Sequence, residues 1–365
     1  MAQLLKNYNC GFRQAVVCKT EVYRMQHDHA EQFCISGLRG FFSSDGSYFD
    51  LEPQELEALS ILSEGDIVTI NSRGVINRVF SIFDSDATIF MTGNCNSNCL
   101  MCPSSDYERH LDYGDRGPLI DDYIRMLPTN LRYYVVTGGE PTMKPQLFLT
   151  VMRQLATYFP YAEGLLLTNG RSFSISSFLD SMMEHCPPYL TVGIPIHASN
   201  PGLHDEITRA HGSFLQTVQG IRNLLDRGIS VELRIVVTKM NCNNITSLCN
   251  MIVESFSNVL KVNFINLEVR GNCYTNRDMV YIDSGDSFIH SKEGISILVK
   301  AGINVGLYNY PLCMVEPGFR FLCKKSISPE KVRYAPLCEN CTGRNYCGGL
   351  FVSTLKTMNP IVSPI

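Results

Sequence analysis

From residue 87 onward, short apolar runs alternate with longer segments whose apolar residues recur at helical spacing, and this rhythm restricts the chain to helices packed around a parallel sheet. The runs are ATIFMT (87–92), RYYVVT (132–137), GLLLTN (164–169), LTVGIPIHA (190–198), VELRIVVTK (231–239) and VNFINLEVR (262–270). Six strands are too few for a closed eightfold barrel, so the expected fold is α/β, a partial (βα)6 TIM-like barrel. Between the runs, Ser213 is expected to cap a helix that presents Phe214, Val218, Ile221 and Leu225 on one face and ends at Gly228. Another helix is expected through Phe288, Ile295 and Leu298. In such folds the active site lies at the carboxyl ends of the strands, so the residues that follow each strand are the ones to read for chemistry.

The segment before the barrel has a different pattern. DIVTINSRGVINRVF (66–80) alternates apolar and polar residues around a Ser-Arg-Gly turn, which predicts a β-hairpin. Leu56, Leu59 and Leu62 predict a short helix over 53–62. The expected organisation is a small β-rich N-terminal domain (1–86), the barrel (87–305) and a cysteine-rich C-terminal domain (306–365). No internal repeat or low-complexity tract interrupts it.

With 365 residues, 45% of them hydrophobic, the chain can bury a substantial core. A net charge of −4 gives no surface for nonspecific binding to phosphates, so a nucleic-acid partner is not expected. No apolar stretch approaches the roughly 18 residues of a membrane helix, and the first residues lack the apolar core of a signal peptide. The expected location is the cytoplasm. There, 15 cysteines point to metal binding rather than disulfides. Cys10, Cys18, Cys34, Cys186, Cys242, Cys249 and Cys273 are scattered singly and read as small buried apolar residues.

The remaining eight cysteines form two groups. Directly after the first strand, TGNCNSNCLMCP places Cys95, Cys99 and Cys102 as C-x3-C-x2-C. Three thiols leave one metal position for an exogenous group, as an open catalytic site requires, although a zinc site with a distant fourth ligand remains an alternative. Near the C-terminus stand Cys313, Cys323, Cys338, Cys341 and Cys347, the last three spaced C-x2-C-x5-C and followed by two glycines. A close pair plus two further thiols can enclose a metal completely, with zinc again the alternative to iron–sulfur.

The first group resembles the defining motif of the radical S-adenosylmethionine (SAM) superfamily, whose members hold a 4Fe–4S cluster on three cysteines and chelate SAM through the fourth iron. The second strand ends in TGGEPT, and Gly138, Gly139, Glu140 and Pro141 resemble the superfamily's GGEP segment, which holds the SAM amino group. Two glycines permit close approach of the backbone, and a carboxylate suits an ammonium. The resemblance further implies that Ser199 contacts the ribose, that Arg234 pairs with the SAM carboxylate and that Met101 lies beside the adenine.

The C-x2-C-x5-C run is similar to the auxiliary-cluster (twitch/SPASM-like) domains of radical SAM peptide maturases. Their longer form has a further cysteine where this chain has Phe351, so a one-cluster version is implied, with Cys313, Cys338, Cys341 and Cys347 as ligands of a second, auxiliary 4Fe–4S cluster and Cys323 as the spare thiol. From the first strand to the end, with LYNYPLC, KKSISPEKVRYAPLC and CGGLF, the chain resembles the His-Xaa-Ser system radical SAM maturase. That resemblance implies an oxidoreductase that cleaves SAM reductively to a 5′-deoxyadenosyl radical and takes a hydrogen atom from a ribosomally made precursor peptide. Its implied partners are a flavodoxin- or ferredoxin-like electron donor and a paired second radical SAM maturase. A small-molecule substrate, or a non-enzymatic zinc scaffold, are the competing readings.

Overall fold

The computed structural model describes residues 3–19, 30–111 and 114–365. The N-terminal part is a sheet of strands β1 (Gln3–Leu4), β2 (Arg13–Cys18), β3 (Gln32–Ser36), β4 (Arg39–Phe42), β5 (Tyr48–Asp50), β6 (Ile67–Ile70) and β7 (Val75–Phe80), in the order β1-β7-β6-β2-β3-β4-β5. The expected hairpin is the β6–β7 pair. Its turn needs Gly74, whose φ is +78° and where a Cβ would press on the Leu5 carbonyl and on Tyr8 Cβ at 2.9 Å. The expected helix is Pro53–Leu59, closed by a capping box in which the Glu52 N–H donates to Glu55 Oε2 at 2.7 Å.

One face of this sheet buries Phe33, Phe42 and Phe49, with the Phe33 and Phe49 rings stacked at 6.0 Å. Val16, Ile67 and Phe80 instead join the core of the main domain, and Gln14 Nε2 donates to the Leu119 carbonyl at 2.8 Å. The N-terminal sheet is therefore docked on the barrel.

The main sheet contains β8 (Asp86–Phe90), β9 (Tyr133–Thr137), β10 (Glu163–Leu167), β11 (Leu190–Pro195), β12 (Ser230–Val236), β13 (Lys261–Ile265), β14 (Val305–Tyr308) and β15 (Cys323–Lys324). All are parallel and follow sequence order from β8 at one edge to β15 at the other. The fold is thus a mixed α/β open sheet with the strand sequence of a barrel and no pairing that closes it among the described residues. The expectation of six strands needs correction to eight. β14 is only four residues and carries Gly306, a poor strand former; a Cβ there would crowd Asn263 Oδ1 at 2.5 Å. β15 is a two-residue pairing too short to show in the sequence.

Alternation across the strands decides what each face does. Ile89, Val136, Leu166, Val192 and Val231 are almost fully buried and share the main core with Phe148, Leu155, Leu179, Ile221 and Ile252 of the surrounding helices. Burial of each such side chain stabilises the fold by roughly 1.5–3 kcal/mol. The helix Ser213–Asp226 is present, but its cap differs from expectation. Gly212 occupies the cap position, and Asp205 from the preceding helix accepts from the Phe214 N–H and the Ser213 hydroxyl, both at 2.8 Å. The helix Ser284–Lys300 contains Phe288, Ile295 and Leu298, all buried.

At the C-terminal end, β16 (Val332–Arg333) and β17 (Leu350–Phe351) pair antiparallel around the loop that carries Cys338, Cys341 and Cys347. The helix Val352–Met358 follows and is tied to the main domain by the Val269 N–H, which donates to Thr354 Oγ1 at 3.2 Å. Among the described residues, no helix is long and apolar enough to cross a membrane.

Candidate cluster and cofactor site

The cysteine loop occupies the carboxyl end of β8 and is held from three sides. From β9, the Gly139 N–H donates to the Thr92 carbonyl at 2.6 Å and the Glu140 N–H to the Asn94 carbonyl at 2.8 Å. From the helix Pro201–Thr208, the Thr208 and Ile207 carbonyls accept from the Asn98 and Leu100 N–H groups, both at 2.9 Å. From the segment after β13, Asn272 Nδ2 reaches Asn98 Oδ1 at 2.7 Å and the Cys99 carbonyl at 3.2 Å, while the Cys273 N–H donates to the Cys102 carbonyl at 3.1 Å. A loop with little regular structure of its own is fixed by its neighbours' backbones.

This bracing brings Cys95, Cys99 and Cys102 to one wall of a cavity of about 220 Å³ at the carboxyl ends of the strands. Gly138 and Gly139 line it, as do Thr137, Thr168, Arg109 and Arg234. Burial pushes the Cys99 thiol up to about 12 and raises Cys95 as well, the latter opposed by the Ser97 N–H, which donates to Cys95 Sγ at 3.4 Å. Neutral thiols are the stable form until a cation arrives to take thiolates. Among the described residues, no three His, Cys, Asp or Glu side chains converge on a single point that could hold one metal ion.

The other residues expected at the cofactor are placed differently. Glu140 is completely buried. Its carboxylate accepts from the Thr142 N–H (3.0 Å) and hydroxyl (2.7 Å), the Thr168 hydroxyl (2.8 Å) and the Asn169 N–H (2.7 Å). Three of these donors converge on Oε1 and one, the Asn169 N–H, on Oε2, so Glu140 locks the end of β9 to the end of β10. Pro141 is buried at the start of the turn Pro141–Met143. Met101 packs with Leu100, Ile207, Leu267 and Val269 in an apolar cluster beneath the loop. The Ser199 hydroxyl and N–H both engage Asn244, at 3.2 and 2.8 Å from its Oδ1. None of these four lines the cavity. Arg234 does line it, tethered from below to Glu232 Oε1 at 2.5 Å, which also receives Lys261 through Oε2 at 3.0 Å.

Sequence reasoning missed Arg109, which is 4% exposed beside the cysteines. The available signal was Ser105-x-x-Glu108, a capping box that starts the helix Asp106–His110 right after the cysteine loop and turns Arg109 inward.

Cys313, Cys338, Cys341 and Cys347 line one pocket, together with Tyr334 and Leu350; Cys323 is outside it, on β15. Cys347 Sγ accepts from the Leu312 and Gly349 N–H groups, each at 3.4 Å. Backbone donors aimed at sulfur are what a metal-bound thiolate needs.

Residues 89–244 match the profile of the Radical SAM superfamily. That match takes in the cysteine loop and the Gly138–Gly139 turn. Among curated proteins, the domain and its surroundings are similar to an Fe-coproporphyrin III synthase of Methanosarcina barkeri, 23% identical over 58% of this chain and 49% of that protein. They are also similar to a pre-heme d1 synthase of Dinoroseobacter shibae, 28% identical over 44% of this chain and 38% of that protein. The chain thus matches about half the length, or less, of these curated relatives. Streptococcus suis SuiB bound to S-adenosylmethionine superposes with a TM-score of 0.48 at 14% identity, covering 62% of this chain and 50% of that one. A radical SAM domain implies a 4Fe–4S cluster and SAM. The three thiols lining one cavity and the backbone donor on Cys95 would fit such a cluster, which Cys95, Cys99 and Cys102 would hold.

Proposed function

We propose that this protein is a radical SAM enzyme whose substrate is a precursor peptide of the His-Xaa-Ser kind and which carries a second, auxiliary cluster. The observation that carries the first half is the set of three thiols, with no fourth among the described residues, on a cavity lined also by the Gly138–Gly139 turn. Held by Cys95, Cys99 and Cys102, a reduced cluster would supply the one electron that cleaves the C5′–S bond of SAM to methionine and a 5′-deoxyadenosyl radical, the species that would take a hydrogen atom from the substrate. The chain's own residues bind and orient. Cys95, Cys99 and Cys102 would hold the cluster, the Gly138–Gly139 turn would supply backbone at the cofactor, and Arg234, held by Glu232, would meet the SAM carboxylate.

The peptide substrate is supported by the four-thiol pocket formed by Cys313, Cys338, Cys341 and Cys347. An oxidative change to a peptide must dispose of an electron, and a closed cluster is a suitable acceptor. The donor for SAM cleavage is a flavodoxin- or ferredoxin-like protein, and a second radical SAM maturase is its working partner. A second reading, a tetrapyrrole-type small molecule as substrate, is favoured by the names of the two curated relatives. Mass spectrometry of a His-Xaa-Ser precursor peptide co-expressed with this protein separates the two. A mass change that disappears in Cys99→Ala supports the peptide; an unmodified peptide beside protein that turns over a porphyrin substrate supports the small molecule.

A further inference from the structure

We infer that Arg109 is an electrostatic positioning residue that raises the reduction potential of the cluster on Cys95, Cys99 and Cys102. The inference rests on the reading of those thiols as cluster ligands. Arg109 is 4% exposed and lines the same cavity as the three cysteines. Its guanidinium is bonded to the Asn98 side-chain oxygen, inside the C-x3-C-x2-C loop itself. The nearest carboxylate is that of Asp106, 3.5 Å away on the solvent side; it is 60% exposed and also accepts from Asn98 Nδ2 at 2.9 Å. Glu108, the other neighbouring acid, is turned towards Arg270 at 3.1 Å.

A buried guanidinium whose acidic neighbours, Asp106 and Glu108, face solvent is costly unless further negative charge is present inside. The thiolate-bound cluster supplies it. Uptake of one electron adds one negative charge to the cluster, so a fixed positive charge in a low-dielectric wall favours the reduced form. That matters because SAM cleavage begins with this reduction. Asn98 sets the geometry: it is gripped by Arg109, by Asp106 and by Asn272, so the charge is held against the loop and does not swing into solvent.

The test is an EPR-monitored redox titration of anaerobically reconstituted protein, without SAM, using titanium(III) citrate as the one-electron reductant, with iron and sulfide determined on the same samples. Arg109→Gln is expected to shift the midpoint to more negative potential by at least a tenfold change in the reduction equilibrium, about 59 mV for one electron. Arg109→Lys is expected to recover most of the shift. Asp106→Asn removes an exposed counter-charge and leaves Arg109 in place, so it is expected to move the midpoint the other way, which keeps the test decisive if Arg109→Gln fails to fold. Unchanged midpoints in Asp106→Asn and in any Arg109→Gln protein with full iron would overturn the role of Arg109 and leave the cluster assignment standing. A wild-type protein that takes up no cluster would overturn the assignment and this inference with it.

Discussion

A Cβ placed on Gly139 would overlap the carbonyl oxygen of Asn94, and would lie 2.7 Å from the Asn94 carbonyl carbon, one residue before Cys95. The glycine turn at the end of β9 is therefore fitted to the cysteine loop before any cofactor is considered. Its tight packing follows from the two hydrogen bonds that join the Gly139 and Glu140 N–H groups to that loop.

Gly139→Ala is accordingly expected to displace the loop that positions the cysteines. Iron content after anaerobic reconstitution should fall along with SAM binding, because backbone atoms cannot move aside as a flexible side chain can. Measurement of iron and SAM affinity on the same sample checks this; normal iron with weakened SAM binding would mean that the turn meets the ligand and spares the loop.

Glu140→Gln should cost stability first. Each hydrogen bond to a buried charge is worth roughly 1.5–3 kcal/mol, and the amide would turn its NH₂ toward groups that are themselves donors. Chemical denaturation should show a loss of at least that size. Full stability with lost SAM affinity would show instead that the carboxylate serves the cofactor directly.

Six of the eight main strands, the loop with its three thiols and the C-x2-C-x5-C run were legible in the sequence, because each is a local pattern of apolar runs or fixed cysteine spacings, whereas the choice of Cys313 as their fourth companion came from the family resemblance. What was not legible depends on distant residues meeting. The brace of Asn98 by Asn272 joins positions 174 residues apart. Arg109 is buried only because the helix after the loop folds back on Asn98. Met101 and Glu140 sit beside recognisable motif positions, yet the first fills an apolar cluster and the second ties two strand ends together, and neither role has a one-dimensional signature.

The buried pair His197 and His204 predicts an acid-sensitive fold. Burial lowers both, His204 to about 4, and the His197 N–H donates to His204 Nδ1 at 3.3 Å, which requires that nitrogen unprotonated. Between the unfolded value of 6.5 and about pH 4, the unfolded chain binds more protons than the folded one, so stability falls as pH drops through this window. Each excess proton contributes a slope of about 1.4 kcal/mol per pH unit. Denaturation of His204→Asn across pH 4–7 should show a shallower slope than the parent; an unchanged slope would remove the pair from the account.

Cys341→Ala should lower the iron content by about half while 5′-deoxyadenosine formation persists, since the two thiol groups occupy separate pockets. The deoxyadenosine should become uncoupled from peptide modification. Cys323→Ala, outside the four-thiol pocket, should retain full iron. Iron analysis with quantitation of both products decides it, and a wild-type protein with about four irons and one zinc would tell against the second cluster.

The most direct measurement is the yield of 5′-deoxyadenosine and methionine from SAM and a low-potential reductant, compared between anaerobically reconstituted wild-type protein and Cys99→Ala. Equimolar products from the wild type and none above background from Cys99→Ala are expected. Equal yields from both proteins would contradict the assignment of the three-thiol cavity as the site of SAM cleavage.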